Sequence, residues 1–300
     1  MTNPYKVLDS GQVQQFLERG YLVVKGCLDA ELVDRWTRRA YERLGYDAAD
    51  PTTWTRDLVH MYPENRQPIQ EISQRAWHAI CDVVGGEDRI EDGVMVVKGH
   101  FAEIDAFTWS DAFIVNFNRG ADQPWEPPSA KVEGWHQDGA FFRHFLTSRE
   151  QALLTIVYWS DVDHQGGGTF IAPDSVKHLA QFYAEHPEGA SPGEIPCREV
   201  IERCTEFEEI TGEIGDFVIL HPFMLHASSQ NVLGVPRWMT NPPVVLKEPL
   251  NLNRNDANDF SLLERVTLRA LGVDRLDFQP TVPYEPYWRD EAEIEAMAPA

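Results

Sequence analysis

At 300 residues and 34.2 kDa, the chain is long enough to bury a core without disulfide or metal staples. Its content, 43% hydrophobic and 25% charged, is that of an ordinary soluble globular protein. The 48 acidic residues outnumber the 26 basic ones, and the net charge of −22 repels nucleic-acid backbones and anionic membrane surfaces, so neither is an expected partner.

In chain order, Asp9 or Ser10 caps a helix that runs to Arg19 and ends at Gly20. Tyr21–Lys25 reads as a strand. Leu28–Leu44 carries Leu32, Val33, Trp36, Ala40 and Leu44 at helical spacing. Pro68 can open a further helix to about Val84, stopped by Gly85-Gly86. The middle of the chain changes character. Short β-rich runs lie at Val94–Lys98, Ala112–Asn118, Leu153–Trp159, Thr169–Ala172, Phe217–Leu220 and Arg237–Leu246, separated by Gly, Pro, Asp and Asn. Such a block predicts a sandwich or barrel of antiparallel strands. Between Glu185 and Asp216, ten acidic residues face two arginines, which reads as a solvated loop face. Asp259–Leu271 reads as a late helix, followed by an acidic tail to Ala300. No repeat or linker divides the chain, so one domain over residues 1–300 is expected, a β core with helices around it.

The four cysteines, Cys27, Cys81, Cys197 and Cys204, have no CxxC spacing, so neither a zinc ribbon nor a redox dithiol is indicated. Met1–Lys6 opens no signal peptide, and no apolar run approaches the roughly 20 residues that span a bilayer. A cytoplasmic protein is expected.

Chemistry concentrates in two segments. In Gly134-Trp135-His136-Gln137-Asp138-Gly139, an imidazole and a carboxylate two residues apart point the same way if the segment is extended. Two histidines plus one carboxylate suit a non-haem Fe(II) site that keeps coordination positions open. In the second segment, Gly215-Asp216 turns into the apolar run Phe217–Leu220, and His226 lies beyond the end of that strand. Arg237 follows eleven residues later. Its planar fork can hold a remote carboxylate bidentately, and Ser228 can add a hydroxyl donor. Trp135, Phe141, Phe142, Phe223 and Trp238 could wall a substrate pocket or belong to the core. Arg143 could meet a substrate carboxylate or form a structural ion pair. His221 reads as packed beside the site, and Asp161-Val162-Asp163-His164 as loop.

Taken together, His136-Gln137-Asp138, His226-Ala227-Ser228 with Gln230-Asn231, and Arg237 resemble the phytanoyl-CoA dioxygenase family. The family pattern is HxD, then H-x-S-x-x-N about 90 residues on, then arginine; here 226 − 136 gives 90. Gly20–Gly26 resembles the family's opening, and Trp159-Ser160-Asp161 its middle strand. Gly166-Gly167-Gly168-Thr169 with Pro173-Asp174-Ser175 resembles its glycine-rich loop. There the chain departs from the pattern. Asp174 stands where glycine is usual and Val176 where histidine is usual, which reads as loop variation. The resemblance covers about residues 10–245, leaving a C-terminal helix and acidic tail over 255–300.

The resemblance implies a mainly β fold with flanking α-helices, built on a double-stranded β-helix, the jelly-roll core shared with cupins. It implies iron ligands His136, Asp138 and His226, with Arg237 and Ser228 on the distal carboxylate of 2-oxoglutarate. Trp159 matches a tryptophan lining the co-substrate pocket, and Asn118 is a further candidate there. Halogenating relatives carry Gly or Ala in place of the carboxylate ligand, so Asp138 implies oxygenation. The implied activity is that of an Fe(II)- and 2-oxoglutarate-dependent dioxygenase. It consumes O2, hydroxylates or otherwise oxidises a C–H bond of a small organic molecule, and releases succinate and CO2. A monomer or homodimer is expected. A non-oxidative cupin-type enzyme such as an isomerase would also accept two histidines and a carboxylate, with zinc or manganese as the metal, but gives Arg237 and Ser228 no required role. An inert binding protein on the same fold is the third reading.

Overall fold

The computed structural model describes residues 4–92, 94–96 and 103–284, with the backbone alone for 94–96, 103 and 104. Part of the expected Val94–Lys98 strand and most of the acidic tail lie outside the described residues. The helices are α1 (Ser10–Arg19), α2 (Ala30–Leu44), α3 (Ile69–Ile72), α4 (Gln74–Val84), α5 (Ser175–Glu185), α6 (Cys197–Ile201) and α7 (Leu262–Leu271). The strands are β1 (Tyr21–Val24), β2 (Leu58–His60), β3 (Arg66–Pro68), β4 (Val94–Val96), β5 (Glu103–Asp105), β6 (Thr108–Ser110) and β7 (Ile114–Asn116). They continue with β8 (Leu154–Tyr158), β9 (Thr169–Ala172), β10 (Glu208–Ile210), β11 (Phe217–Leu220), β12 (Leu225–Ser228) and β13 (Arg237–Thr240).

Local chemistry explains the helix ends. Asp9 and Gln12 form a reciprocal capping box on α1, and Gly20 closes it in the left-handed conformation. The Asp29 carboxylate accepts from the Glu31 and Leu32 amides at the start of α2. The single helix expected from Pro68 to Val84 is two. Ser73 is extended (φ −157°), and its hydroxyl accepts from the Ala76 amide, which ends α3 and starts α4. Arg237–Leu246 is strand only to Thr240.

Two antiparallel sheets build the jelly roll. The larger is six-stranded, in the order β1-β11-β8-β13-β7-β2, and the smaller is three-stranded, β10-β9-β12. The Tyr158 hydroxyl, from β8, crosses the space between them and donates to the Ile210 carbonyl of β10 at 3.1 Å. The inner face of β8 is thereby fixed, and strand alternation fixes the outer one. Trp159 turns outward and stacks on Trp36 of α2, with ring centroids 5.0 Å apart and planes 17° from parallel. Trp238 turns outward from β13 and meets Tyr41 of α2 at 4.9 Å. Helix α2 thus seals the outside of the large sheet with aromatic pairs, each worth about 0.5–1.5 kcal/mol beyond area burial. The other helices pack together elsewhere, with α7 against α1, α4 and α5.

The acidic 185–216 segment is not a featureless loop. It contains α6 and β10, and its charges are largely engaged. Arg19 pairs with Glu206 and Glu208, His164 with Glu209, and Lys25 with Asp216. Among the described residues, no helix is long and apolar enough to cross a membrane.

Candidate metal centre and co-substrate pocket

The two key histidines meet through backbone pairing. His226 does not trail beyond β11. The chain turns after Leu220 and enters β12, in the other sheet, with His226 inside it. His136 bridges to His226 as an antiparallel pair, each amide donating to the other's carbonyl at 3.0 and 3.1 Å. A directly opposed pair puts its side chains on one face, and the ring centroids are 4.2 Å apart. Asp138, two residues on from His136, places Oδ1 3.4 Å from His136 Nε2 and 3.7 Å from His226 Nε2. One ligand atom from each of the three side chains lies within 4.8 Å of the others.

The remaining polar atoms of this trio are held by the protein. His136 Nδ1 faces the Gly134 carbonyl at 2.7 Å, and His226 Nδ1 the Met224 carbonyl at 3.2 Å. A carbonyl only accepts, so each Nδ1 carries the proton and each Nε2 offers its lone pair to the shared centre. The Asn241 amide donates to Asp138 Oδ2 at 3.3 Å, leaving Oδ1 for that centre. Burial opposes ionisation of Asp138, but the His226 and His136 imidazoles outweigh it and hold the carboxyl far below the usual range. Burial likewise pushes His136 down, yet Asp138 and the Gly134 carbonyl leave it raised above its ordinary 6.5. The donor set, two imidazole nitrogens and one carboxylate oxygen, fits a ferrous ion with positions left open.

His144 clamps the loop around Asp138. Its Nε2 donates to the Gly139 carbonyl at 2.8 Å, and its Nδ1 accepts from the Gln137 amide at 3.1 Å. Gln137 in turn accepts from the Tyr183 hydroxyl at 2.8 Å. Burial pushes the His144 imidazole down to about 4, so it stays neutral and can do both jobs. Gly139 has φ +103°, and a Cβ there would lie 2.5 Å from Phe142 and 2.6 Å from His144. His144 is tempting in the sequence as a second ligand, and the structure makes it a support of the loop instead; Tyr183 and Asn241 do not stand out, because no spacing rule marks them.

Arg237 lies on β13 directly opposite Asn116 of β7. It shares the inner face with Tyr158, through the pairing of Met239 with Tyr158. The side chain is fully buried, and its Nε and Nη2 have no hydrogen-bond partner among the described residues. Burial lowers its pKa to about 10, so the guanidinium is still charged at neutral pH. An unpaired buried cation is costly, and the pocket around it calls for an anion. Gly167 (φ +83°) keeps one wall open; a Cβ there would come within 2.9 Å of the Asn116 amide. Ser228, two residues beyond His226, is exposed on the same face of β12.

Several expected positions fall elsewhere. Trp159 and Trp238 face α2, on the side of the sheet opposite Arg237, so Trp159 does not line the co-substrate pocket and Trp238 does not wall a substrate pocket on the inner face. Asn118 is exposed past the end of β7; the buried asparagine facing Arg237 is Asn116. Trp135, the neighbour of His136, points away from the trio and packs on Phe207. Arg143 donates to the Glu188 and Gly189 carbonyls and to Ser191 Oγ, so it straps the 188–191 loop rather than a substrate. Phe142 and Phe223 line a narrow cavity beside Asp138 with space of about 10 Å³, enough for one water and not for an organic molecule. Phe141 packs on Phe142 and stays partly exposed.

The chain is similar in structure to SnoN, the non-heme alpha ketoglutarate dependent epimerase from nogalamycin biosynthesis, with 18% identity over 78% of this chain and 82% of that one and a TM-score of 0.41. It is similar to AviO1 from Streptomyces viridochromogenes, with 14% identity, 81% and 97% coverage and a TM-score of 0.46. It is also similar to EctD from S. alaskensis with 2-oxoglutarate and 5-hydroxyectoine, with 17% identity, 80% and 76% coverage and a TM-score of 0.42. No curated protein matches by sequence. The family model for phytanoyl-CoA dioxygenase matches residues 16–238, and the chain belongs to that family.

Proposed function

We propose that this protein is an Fe(II)- and 2-oxoglutarate-dependent oxygenase acting on a C–H bond of a small organic molecule. The observation that carries the reading is Arg237, a charged, buried guanidinium with two unpartnered nitrogens on the inner face of the barrel whose opposite sheet bears His226. A zinc-type isomerase would leave that uncompensated charge without a use.

In this reading His136, Asp138 and His226 hold the metal, and Arg237 receives the distal carboxylate of the co-substrate through Nε and Nη2. Ser228 supplies a hydroxyl from the same side. Ferrous iron held there supplies the chemistry that couples 2-oxoglutarate decarboxylation to C–H oxidation, with dioxygen as oxidant. The chain's own residues bind, orient and exclude water. The Gly134 and Met224 carbonyls keep both Nε2 atoms unprotonated, Asn241 aims Asp138, and His144 fixes the loop that carries it. Four free cysteines, three of them buried, fit a reducing compartment.

The test is succinate release from 2-oxoglutarate by iron-loaded protein, with and without candidate substrates. Turnover abolished in His136→Ala, and a KM for 2-oxoglutarate raised in Arg237→Met, are the expected results. Wild-type protein that neither binds nor consumes 2-oxoglutarate would overturn the proposal.

A further inference from the structure

The loop that departs from the family pattern at Asp174 has a second unusual property. Asp174 is the N-cap of α5, an eleven-residue helix, yet its carboxylate makes no capping bond. It turns aside, and Oδ2 accepts from the Thr205 amide at 2.7 Å and the Thr205 hydroxyl at 3.1 Å. Oδ1 is left buried with no partner. Four residues on, and therefore on the same helix face, His178 has its Nδ1 buried and also without a partner. Cys204, just past α6, brings its thiol to the same place. One ligand atom of each lies within 4.8 Å of the other two.

Two buried lone-pair donors and a sulfur converge here, and among the described residues no hydrogen bond answers the first two. We propose that Asp174, His178 and Cys204 bind a thiophilic divalent cation of the zinc class, at a site separate from His136, Asp138 and His226. The ligand types select the ion. A thiolate with an imidazole favours zinc over magnesium, calcium or manganese. Carboxylate and thiolate together balance the double charge. Binding releases the thiol proton to solvent, and Cys204 gives up its bond to the Val200 carbonyl, now 3.3 Å long. Bonds of about 2.0–2.3 Å set ligand atoms roughly 3.3–3.8 Å apart in a tetrahedron, and the three ligand atoms, all within 4.8 Å of one another, lie close to that spacing. Asp174 and His178 are only half-buried, which leaves water access to the fourth position. The cations that bear on His178, Arg203 and Lys177, are both exposed, and solvent screens their repulsion. A nucleophilic cysteine is the competing use of the same trio. Burial raises the Cys204 thiol, the opposite of what a nucleophile needs.

Cobalt separates this site from the metal centre, because only a cysteine ligand gives near-ultraviolet sulfur-to-cobalt charge transfer. Chelator-stripped wild type titrated with Co2+ should take up two equivalents and develop that band. His136→Ala should take up one and keep the band. Cys204→Ser should take up one and lose it, and Asp174→Asn or His178→Ala should weaken it at least tenfold in Kd. A wild type with no band, or a band unchanged in Cys204→Ser, would overturn the assignment. So would a Cys204 alkylation rate, read by peptide mass in wild type, that Zn2+ fails to slow; this arm needs no variant to fold. A wild type that takes up one equivalent only, with the cysteine band intact, would count against the proposed oxygenase centre alone.

Discussion

Strands β8 and β13 carry two different chemistries on their two faces. The inner face presents Tyr158 and Arg237, polar and aimed at the opposing sheet. The outer face presents Trp159 and Trp238, apolar and packed on Trp36 and Tyr41. The residues are sequence neighbours, so a single step along the strand separates a group that holds a ligand from one that holds the fold. The difference teaches that burial alone does not assign a role. Arg237 and Trp159 are both buried, but the arginine is buried without partners and the tryptophan with all of its own. Its indole nitrogen donates to Thr240 Oγ1 at 3.1 Å.

The contrast can be broken by exchanging what each face loses. Trp159→Ala should destabilise the protein by about 3–5 kcal/mol, read by denaturant unfolding, because it empties a packed aromatic site. The KM for 2-oxoglutarate of the folded fraction should stay within about two-fold. Arg237→Met should do the reverse. The KM should rise about 100-fold, some 2.7 kcal/mol, through loss of a bidentate charged pair. Stability without co-substrate should hold or rise, since an unpaired buried charge is replaced by an apolar side chain. If Trp159→Ala raised the KM as much as Arg237→Met, the two faces would not be separate.

That separation also shows what the sequence could and could not reveal. Thr169–Ala172 and Phe217–Leu220 are strands at their expected bounds, because short apolar runs flanked by Gly and Pro leave few alternatives. His136, Asp138 and His226 are legible as a set through the family resemblance of the joined motifs, since HxD alone is a weak signal, and backbone pairing brings them together. The direction of Trp159 was not, since it depends on which neighbour of the strand pair faces inward, and a one-residue offset reverses it. Asn118 misses the pocket because the strand ends before it, at Asn116, which takes the place facing Arg237. Helix α5 went unread although Val176, Leu179, Ala180 and Tyr183 sit at helical spacing and are buried, because the glycine-rich approach and Asp174 resemble a continuing loop. Residues that act through others, such as Tyr183 and Asn241, come from separate segments and carry no local pattern.

The clamp around Asp138 offers a finer test of the inner region. His144→Phe keeps the ring volume but removes both hydrogen bonds to the loop. It should weaken iron binding about 10–100-fold, the range for groups that orient metal ligands. Tyr183→Phe removes only the outermost link of the chain and should weaken it less. Iron affinity by competitive chelation checks both, and equal effects would mean that the chain does not transmit orientation.

His221 belongs to neither face and isolates a pure stability effect. It is buried beside α7, where its Nε2 donates to Thr267 Oγ1 at 3.0 Å and its Nδ1 accepts from the Phe223 amide at 3.1 Å. A proton on Nδ1 would set donor against donor, so burial pushes the imidazole from 6.5 down to about 3. The unfolded chain therefore binds a proton that the folded one refuses between those values, and stability falls with pH across that window. The slope for one such group is about 1.4 kcal/mol per pH unit. His221→Asn keeps an acceptor near the Phe223 amide and cannot titrate. It should be less stable at pH 7, yet lose stability more slowly on acidification, by about that slope between pH 6 and 4. Parallel unfolding curves for wild type and variant over that range would show that His221 is protonated in the fold and that its buried hydrogen bonds do not hold it neutral.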